Sequence, residues 1–217
     1  SESGYAMIPF FTATGDTVRR AVIYFEVSET CVDSCYGSNN QVIAVLDSLL
    51  ARNSDTKYIT ALNVITSVSP EDDESYNTNL ISKRNHSVSE FLQRYHSNID
   101  VNKIHYFSAG ENWSELRKMA AADPNLPDRE EVLILIDYHK NDIVKRKQLL
   151  RKLNQGAAYR YMVNNVFPKL RRSEITIVRE IPEVAKETFE PVSSVSGLFV
   201  SKQEEALPKD QPDKPVG

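Results

Sequence analysis

The chain predicts an α+β fold in which strands and helices alternate, a helices-only stretch follows, and one further strand closes the order. Three observations carry this. Residues 20–27 alternate, with Ala21, Ile23, Phe25 and Val27 on one side, the two-residue period of a half-buried strand. Residues 76–95 follow helical spacing, with Leu80, Val88, Phe91 and Tyr95 in one apolar stripe. Between about Trp113 and Phe167 strand character disappears, and it returns where Ile175 and Ile177 alternate against Thr176 and Val178.

The elements follow in order. After the first strand the segment 29–37 reads as a turn, and Val42, Val45, Leu46 and Leu49 then fall at helical spacing. Tyr58 to Val68, rich in β-branched residues, reads as the second strand. Pro70 and the run Glu71-Asp72-Asp73-Glu74 open the next helix, because carboxylates in a first turn complement the positive end of the helix dipole. Lys103 to Phe107 is a third strand, ending at Ala109-Gly110. In the helical stretch one helix carries Val132, Leu133, Ile136 and His139, and another carries Ile143, Leu149, Leu150 and Leu153 up to Gly156. A third runs from about Ala157 to Phe167, where Pro168 ends it, and the last strand occupies Leu170 to Ile181. The expected organisation is an N-terminal extension over 1–19 and one domain over 20–181, with a helical insertion at about 113–168. A C-terminal extension over 182–217 follows, linker-like in composition from about Gln203.

With 217 residues, 41% of them hydrophobic and 26% charged, the chain can bury a substantial core. A net charge of −4 gives no reason to expect nucleic-acid binding, and no apolar run approaches the length of a transmembrane segment. Cys31 and Cys35 could form a local disulfide if the backbone loops, or stand as two free thiols; they do not make a zinc site. His86, His96, His105 and His139 show no metal-ligand spacing, and neither a Gly-rich phosphate loop nor a Gly-x-Ser-x-Gly elbow occurs. No enzymatic activity, cofactor or metal is expected. The basic run Lys140, Lys145, Arg146, Lys147, Arg151 and Lys152 reads as a solvated helix face, since it lacks the interleaved aromatics of a nucleic-acid patch.

One helix concentrates the candidate chemistry. Asn77 and Arg84 lie seven residues apart, nearly two turns, so the amide and the guanidinium share a face beside the apolar stripe. Such a face suits a small carboxylate. Lys169, Arg171 and Arg172 enter the last strand after Pro168, and alternation lets one of Arg171 and Arg172 point toward the helix layer.

These residues also fit a family frame. Tyr76, Asn77, Leu80, Lys83, Arg84, Asn85 and Val88 occupy a helix pattern of Tyr-Asn, a leucine three residues on, Arg-Arg-Ala and a valine. Gly110-Glu111 matches a Gly-Glu after the third strand, and Leu170 to Glu174 matches a closing Asn-Arg-Arg. Over about residues 20–181 the chain resembles the OmpA-like C-terminal domain, a periplasmic module that binds peptidoglycan through its diaminopimelate side chain. The resemblance implies a β-α-β-α-β core with a mixed sheet and one further strand. It implies that Arg84 clasps a ligand carboxylate through paired charge-assisted bonds, with Asn77 beside it and Arg171 or Arg172 lining the site. Fifteen residues before that arginine the family carries an aspartate for the ligand amine, and here the position is Ser69. A neutral hydroxyl contributes about 1 kcal/mol where a charged acceptor contributes about 1.5–3. Leu170 in place of the family asparagine and the long insertion are further departures, which resemble a divergent branch found in Gram-negative envelope and surface proteins.

Two functions are implied. One is a non-enzymatic, outer-membrane-associated periplasmic module that anchors an outer-membrane or surface protein to diaminopimelate-type peptidoglycan through Arg84, Asn77, Ser69, Arg171 and Arg172. The other is a structural or assembly module that has lost the wall ligand and binds envelope proteins through its insertion. In the second, Arg84 would be held by an internal carboxylate among Glu71, Asp72 and Asp73.

Overall fold

The computed structural model describes residues 11–14, 18–51 and 56–180. Among them, β1 (Phe11–Thr14), β2 (Val18–Tyr24), β3 (Ile59–Ser67), β4 (Ile104–Gly110) and β5 (Arg172–Arg179) form one mixed sheet in the order β1-β2-β5-β3-β4. β5 lies antiparallel to both β2 and β3, while β3 and β4 are parallel. Helix α1 (Asn39–Leu50) joins β2 to β3, and α2 (Glu74–Tyr95) makes the crossover from β3 to β4. The alternation expected from the sequence is therefore the observed order. Residues 11–14, expected within an N-terminal extension, add an edge strand to β2. The extension expected over 182–217 lies outside the described residues.

One face of the sheet carries the main core. Ala21 and Ile23 of β2, Leu62 and Val64 of β3, and Ile175 and Ile177 of β5 meet Val42, Leu46 and Leu50 of α1 and Val88 and Leu92 of α2. Each of the larger side chains contributes about 1.5–3 kcal/mol by leaving water. Two sequence expectations are corrected at the margins of this core. Val27 is 49% exposed because it lies beyond the end of β2, and Tyr95 is 62% exposed in the last turn of α2, stacking its ring 5.1 Å from Phe91.

The ends of these elements are tied by side chains. Asp73 caps α2 by accepting from the Tyr76 amide at 2.8 Å. Asn39 is wholly buried: its amide donates to the Tyr24 and Asp33 carbonyls and accepts from the Tyr24 N–H, which fastens the start of α1 to the end of β2. In the following loop Cys31 and Cys35 are free, exposed thiols. The Val32 amide donates to Ser87 Oγ at 2.9 Å, tying that loop to α2.

From Trp113 to Leu170 the chain is helical, in α3 (Trp113–Ala122), α4 (Arg129–Tyr138), α5 (Ile143–Lys152), α6 (Ala157–Asn165) and α7 (Phe167–Leu170). This insertion has its own core, in which Leu116, Val132, Ile136, Leu150, Met162 and Phe167 are buried together. The expected stop at Pro168 is corrected. α6 ends at Asn165, and Pro168 sits in the first turn of α7, where its missing N–H has no intrahelical partner to lose. Among the described residues no helix is long and apolar enough to cross a membrane.

Replacing the fully buried Leu116 by alanine should cost about 2–5 kcal/mol in urea unfolding, since it opens a cavity in a closed core. His96 gives a pH prediction. It is buried at the end of α2, and burial lowers its pKa from 6.5, opposed by Asp47 Oδ1 at 3.3 Å from Nε2. With the folded-state value depressed, the stability linked to neutral His96 is complete above pH about 6.5 and is lost as pH falls from there through the folded value. Urea midpoints measured across this range should fall on acidification for the native chain and fall less for His96→Gln.

Candidate functional site

The sheet topology brings the candidate residues together. β2, β3 and β4 run in one direction and β5 runs against them, so the ends of the first three strands meet the start of β5. Ser67 of β3 pairs with both Arg172 and Gly110, which places Ser69, Glu111 and Arg171 around one end of the sheet, beside the first turns of α2.

Among the described residues Arg84 is the largest fully buried side chain, at 0% exposure. It points from α2 under the turn that follows β2. Nε donates to the Glu29 carbonyl at 2.9 Å, and Nη2 donates to the Glu26 carbonyl at 3.1 Å. The guanidinium lies over the Phe25 ring, 4.8 Å from its centroid. The turn achieves this with Ser28 at φ +59°, in the left-handed region. Burial, and after it the charge of Arg171, lowers the Arg84 pKa to about 10, so the side chain remains a cation at neutral pH. Its hydrogen-bond partners are carbonyls. The internal carboxylate suggested for Arg84 among Glu71, Asp72 and Asp73 is corrected accordingly: Asp73 caps the helix, Asp72 uses its backbone, and Glu71 turns elsewhere.

Glu71 serves Ser69 and Arg171. Its Oε2 accepts from Ser69 Oγ at 2.5 Å and from Arg171 Nη1 at 2.8 Å, with the arginine side chain 8% exposed. The position that carries a fixed acid in the resembling family thus holds a serine that orients an acid two residues later. Arg172 leaves the group. It projects from the opposite face of β5, where Nη2 pairs with Glu174 Oε1 at 2.6 Å and Arg20 Nη2 reaches the same oxygen at 2.6 Å. Burial would raise the Glu174 pKa, but the bonds from these two arginines hold it below its usual value.

Asn77 belongs to a second acidic centre. Its Nδ2 donates to Glu111 Oε1 at 2.9 Å and to the Asp72 carbonyl at 3.2 Å. Lys147, arriving from α5, donates Nζ to the same two acceptors, while Trp113 Nε1 donates to Glu111 Oε2 at 2.9 Å. Arg146 stacks on the Trp113 ring at 4.4 Å, and Arg151 donates to the Glu71 carbonyl. A cleft of about 290 Å³ opens beside Asn77, lined also by Ile81, Ser108, Glu111, Trp113 and Ile143.

Ser69, Asn77, Arg84 and Arg171 are therefore neighbours of one internally bonded region, and Arg172 is not. Sequence reasoning missed Lys147 and its neighbour Arg146, and the solvated reading of the basic run fails for both, which are 8% and 4% exposed. A signal was present: Arg146 and Lys147 lie four and three residues before Leu150, on its helical face. Among the described residues no group of three His, Cys, Asp or Glu side chains could hold a metal ion.

No protein-family model matches the chain, and no curated protein matches it. Solved structures are similar to the chain, two of them as follows. The OmpA-like domain of FopA1 from Francisella tularensis subsp. tularensis SCHU S4 shares 12% identity, covering 79% of this chain and 82% of that one, with a TM-score of 0.40. A MotB-like protein from Desulfovibrio vulgaris shares 13% identity, covering 78% of this chain and 82% of that one, also with a TM-score of 0.40. Both likenesses are distant, and neither bears on the site.

Glu71→Ala should be among the most damaging changes at this end of the sheet. It leaves the Arg171 guanidinium buried without its counter-charge, at a cost of about 3–5 kcal/mol in urea unfolding, whereas Ser69→Ala should cost about 1.

Proposed function

We propose that this chain is a non-enzymatic cell-envelope module of the OmpA-like kind in which the wall-ligand site is closed by the protein's own groups. On this reading it acts as a structural or assembly module, in the periplasm and associated with the outer membrane, and meets its protein partners through the helical insertion. The observation that carries the reading is the complete burial of Arg84 against the Glu26 and Glu29 carbonyls. A ligand carboxylate would have to break two charge-assisted bonds and part the turn from the Phe25 ring to reach it. At Arg171 it would compete with Glu71, a tethered carboxylate already in contact. The frame of Tyr76, Asn77, Leu80 and Arg84 supports the OmpA-like architecture. The insertion supports an assembly role by exposing Ile134, Tyr138 and Val144, at 63%, 81% and 67%, around the turn between α4 and α5.

A second reading, wall binding by a conformer with Glu71 displaced, is favoured by one observation. Arg84 Nη1 is buried with no hydrogen-bond partner among the described residues, leaving a donor for an anion. Sedimentation with purified diaminopimelate-type peptidoglycan separates the two. The closed-site reading expects the native chain to stay in the supernatant, as Arg84→Ala does. Retention of the native chain that Arg84→Ala abolishes would establish wall binding instead.

A further inference from the structure

Lys147 is a lysine from the insertion that ends inside the domain. Its side chain is 9% exposed, against 10% for that of Glu111, and an ammonium so placed needs acceptors because water no longer solvates it. It has two, Glu111 Oε1 and the Asp72 carbonyl, the latter at 2.6 Å. Neither acceptor depends on Lys147 for its position. Asn77 Nδ2 bridges the same pair at 2.9 and 3.2 Å, Trp113 Nε1 holds the other carboxylate oxygen, and the Asp73 cap fixes the backbone next to Asp72. The lysine stem comes from α5, which is anchored by the buried Leu150 and shares Trp113 with the site through Arg146 on its ring.

We propose that Glu111 and the Asp72 carbonyl, oriented by Asn77 and Trp113, form a preorganised ammonium site whose built-in occupant is Lys147. The ligand class is a small primary amine: it has three N–H donors for these two acceptors, and a quaternary ammonium has none. The insertion thus supplies in cis a cation that would otherwise come from a ligand. This inference rests on the reading above, in which the chain's own groups fill the site.

Lys147→Ala removes the atoms of n-propylamine, so the vacancy can be refilled from solution. The variant should lose about 10 °C in Tm, and n-propylammonium should restore at least half of that. 1-Propanol and tetramethylammonium should not, and the native chain should respond to none of the three. Adding Glu111→Gln to Lys147→Ala should abolish the rescue. Equal responses to n-propylammonium and 1-propanol would overturn the proposal. If Lys147→Ala does not fold, nitrogen NMR of the native chain decides. A Lys147 ammonium signal with slowed proton exchange, lost in Glu111→Gln, is expected, and an ammonium exchanging like a surface lysine overturns the assignment. Amine rescue is read without wall material, so its failure is distinguishable from that of the closed-site reading: wall retention would refute that reading and leave the rescue result standing.

Discussion

The seating of β5 between β2 and β3 is the constraint on which the remaining structure depends. The last strand of the described chain pairs antiparallel with both neighbours, and without it the sheet would separate into a β1-β2 pair and a β3-β4 pair. Because β5 follows the insertion in sequence, the helices must leave the sheet after β4 and return the chain to its centre through α7. That return puts Arg171 beside the end of β3 and brings α5 close enough for Lys147 and Arg151 to bond the loop before α2. Topology alone therefore places the insertion's cations against the carbonyls and carboxylates of the domain.

Electrostatics then decides what the region can do. Arg84, Arg171 and Lys147 are all withdrawn from water, and a buried cation is tolerated where acceptors replace its hydration. The chain meets this requirement in three ways: carbonyls and an aromatic face for Arg84, Glu71 for Arg171, and Glu111 with a carbonyl for Lys147. Among the described residues Arg84 Nη1 and Arg171 Nε keep no hydrogen-bond partner, but both are buried, so little is left within reach of an external carboxylate. The turn after β2 supplies the acceptors for Arg84 and the loop before α2 supplies Glu71 for Arg171, while the insertion contributes Lys147.

Much of this was legible in the residues. Strand alternation at Ala21, Ile23, Ile175 and Ile177 and the stripe of Leu80 and Val88 identified the core faces, because burial imposes the period of each element on its apolar residues. The shared face of Asn77 and Arg84 followed from helix geometry, and both are buried in the same helix. Alternation at Arg171 and Arg172 likewise implied that one turns toward the helices. Legibility ended where long side chains choose partners far away in sequence. Arg146 and Lys147 share a helical face with Leu150, but the acceptors and the ring they meet follow from where α5 lies, which local periodicity does not encode.

By itself, then, the sequence determined the alternation of strands and helices from β2 to β4, the return to a strand at β5 and the helix face that carries Asn77 and Arg84. These depend on contacts between residues a few positions apart, which composition and spacing record directly. The tertiary structure alone decided that Arg84 faces carbonyls, that Glu71 neutralises Arg171 across 100 positions and that Lys147 occupies the acceptors beside Asn77. Such pairings are set by the relative placement of elements, and a charge taken from water bonds whichever acceptor the fold brings within reach.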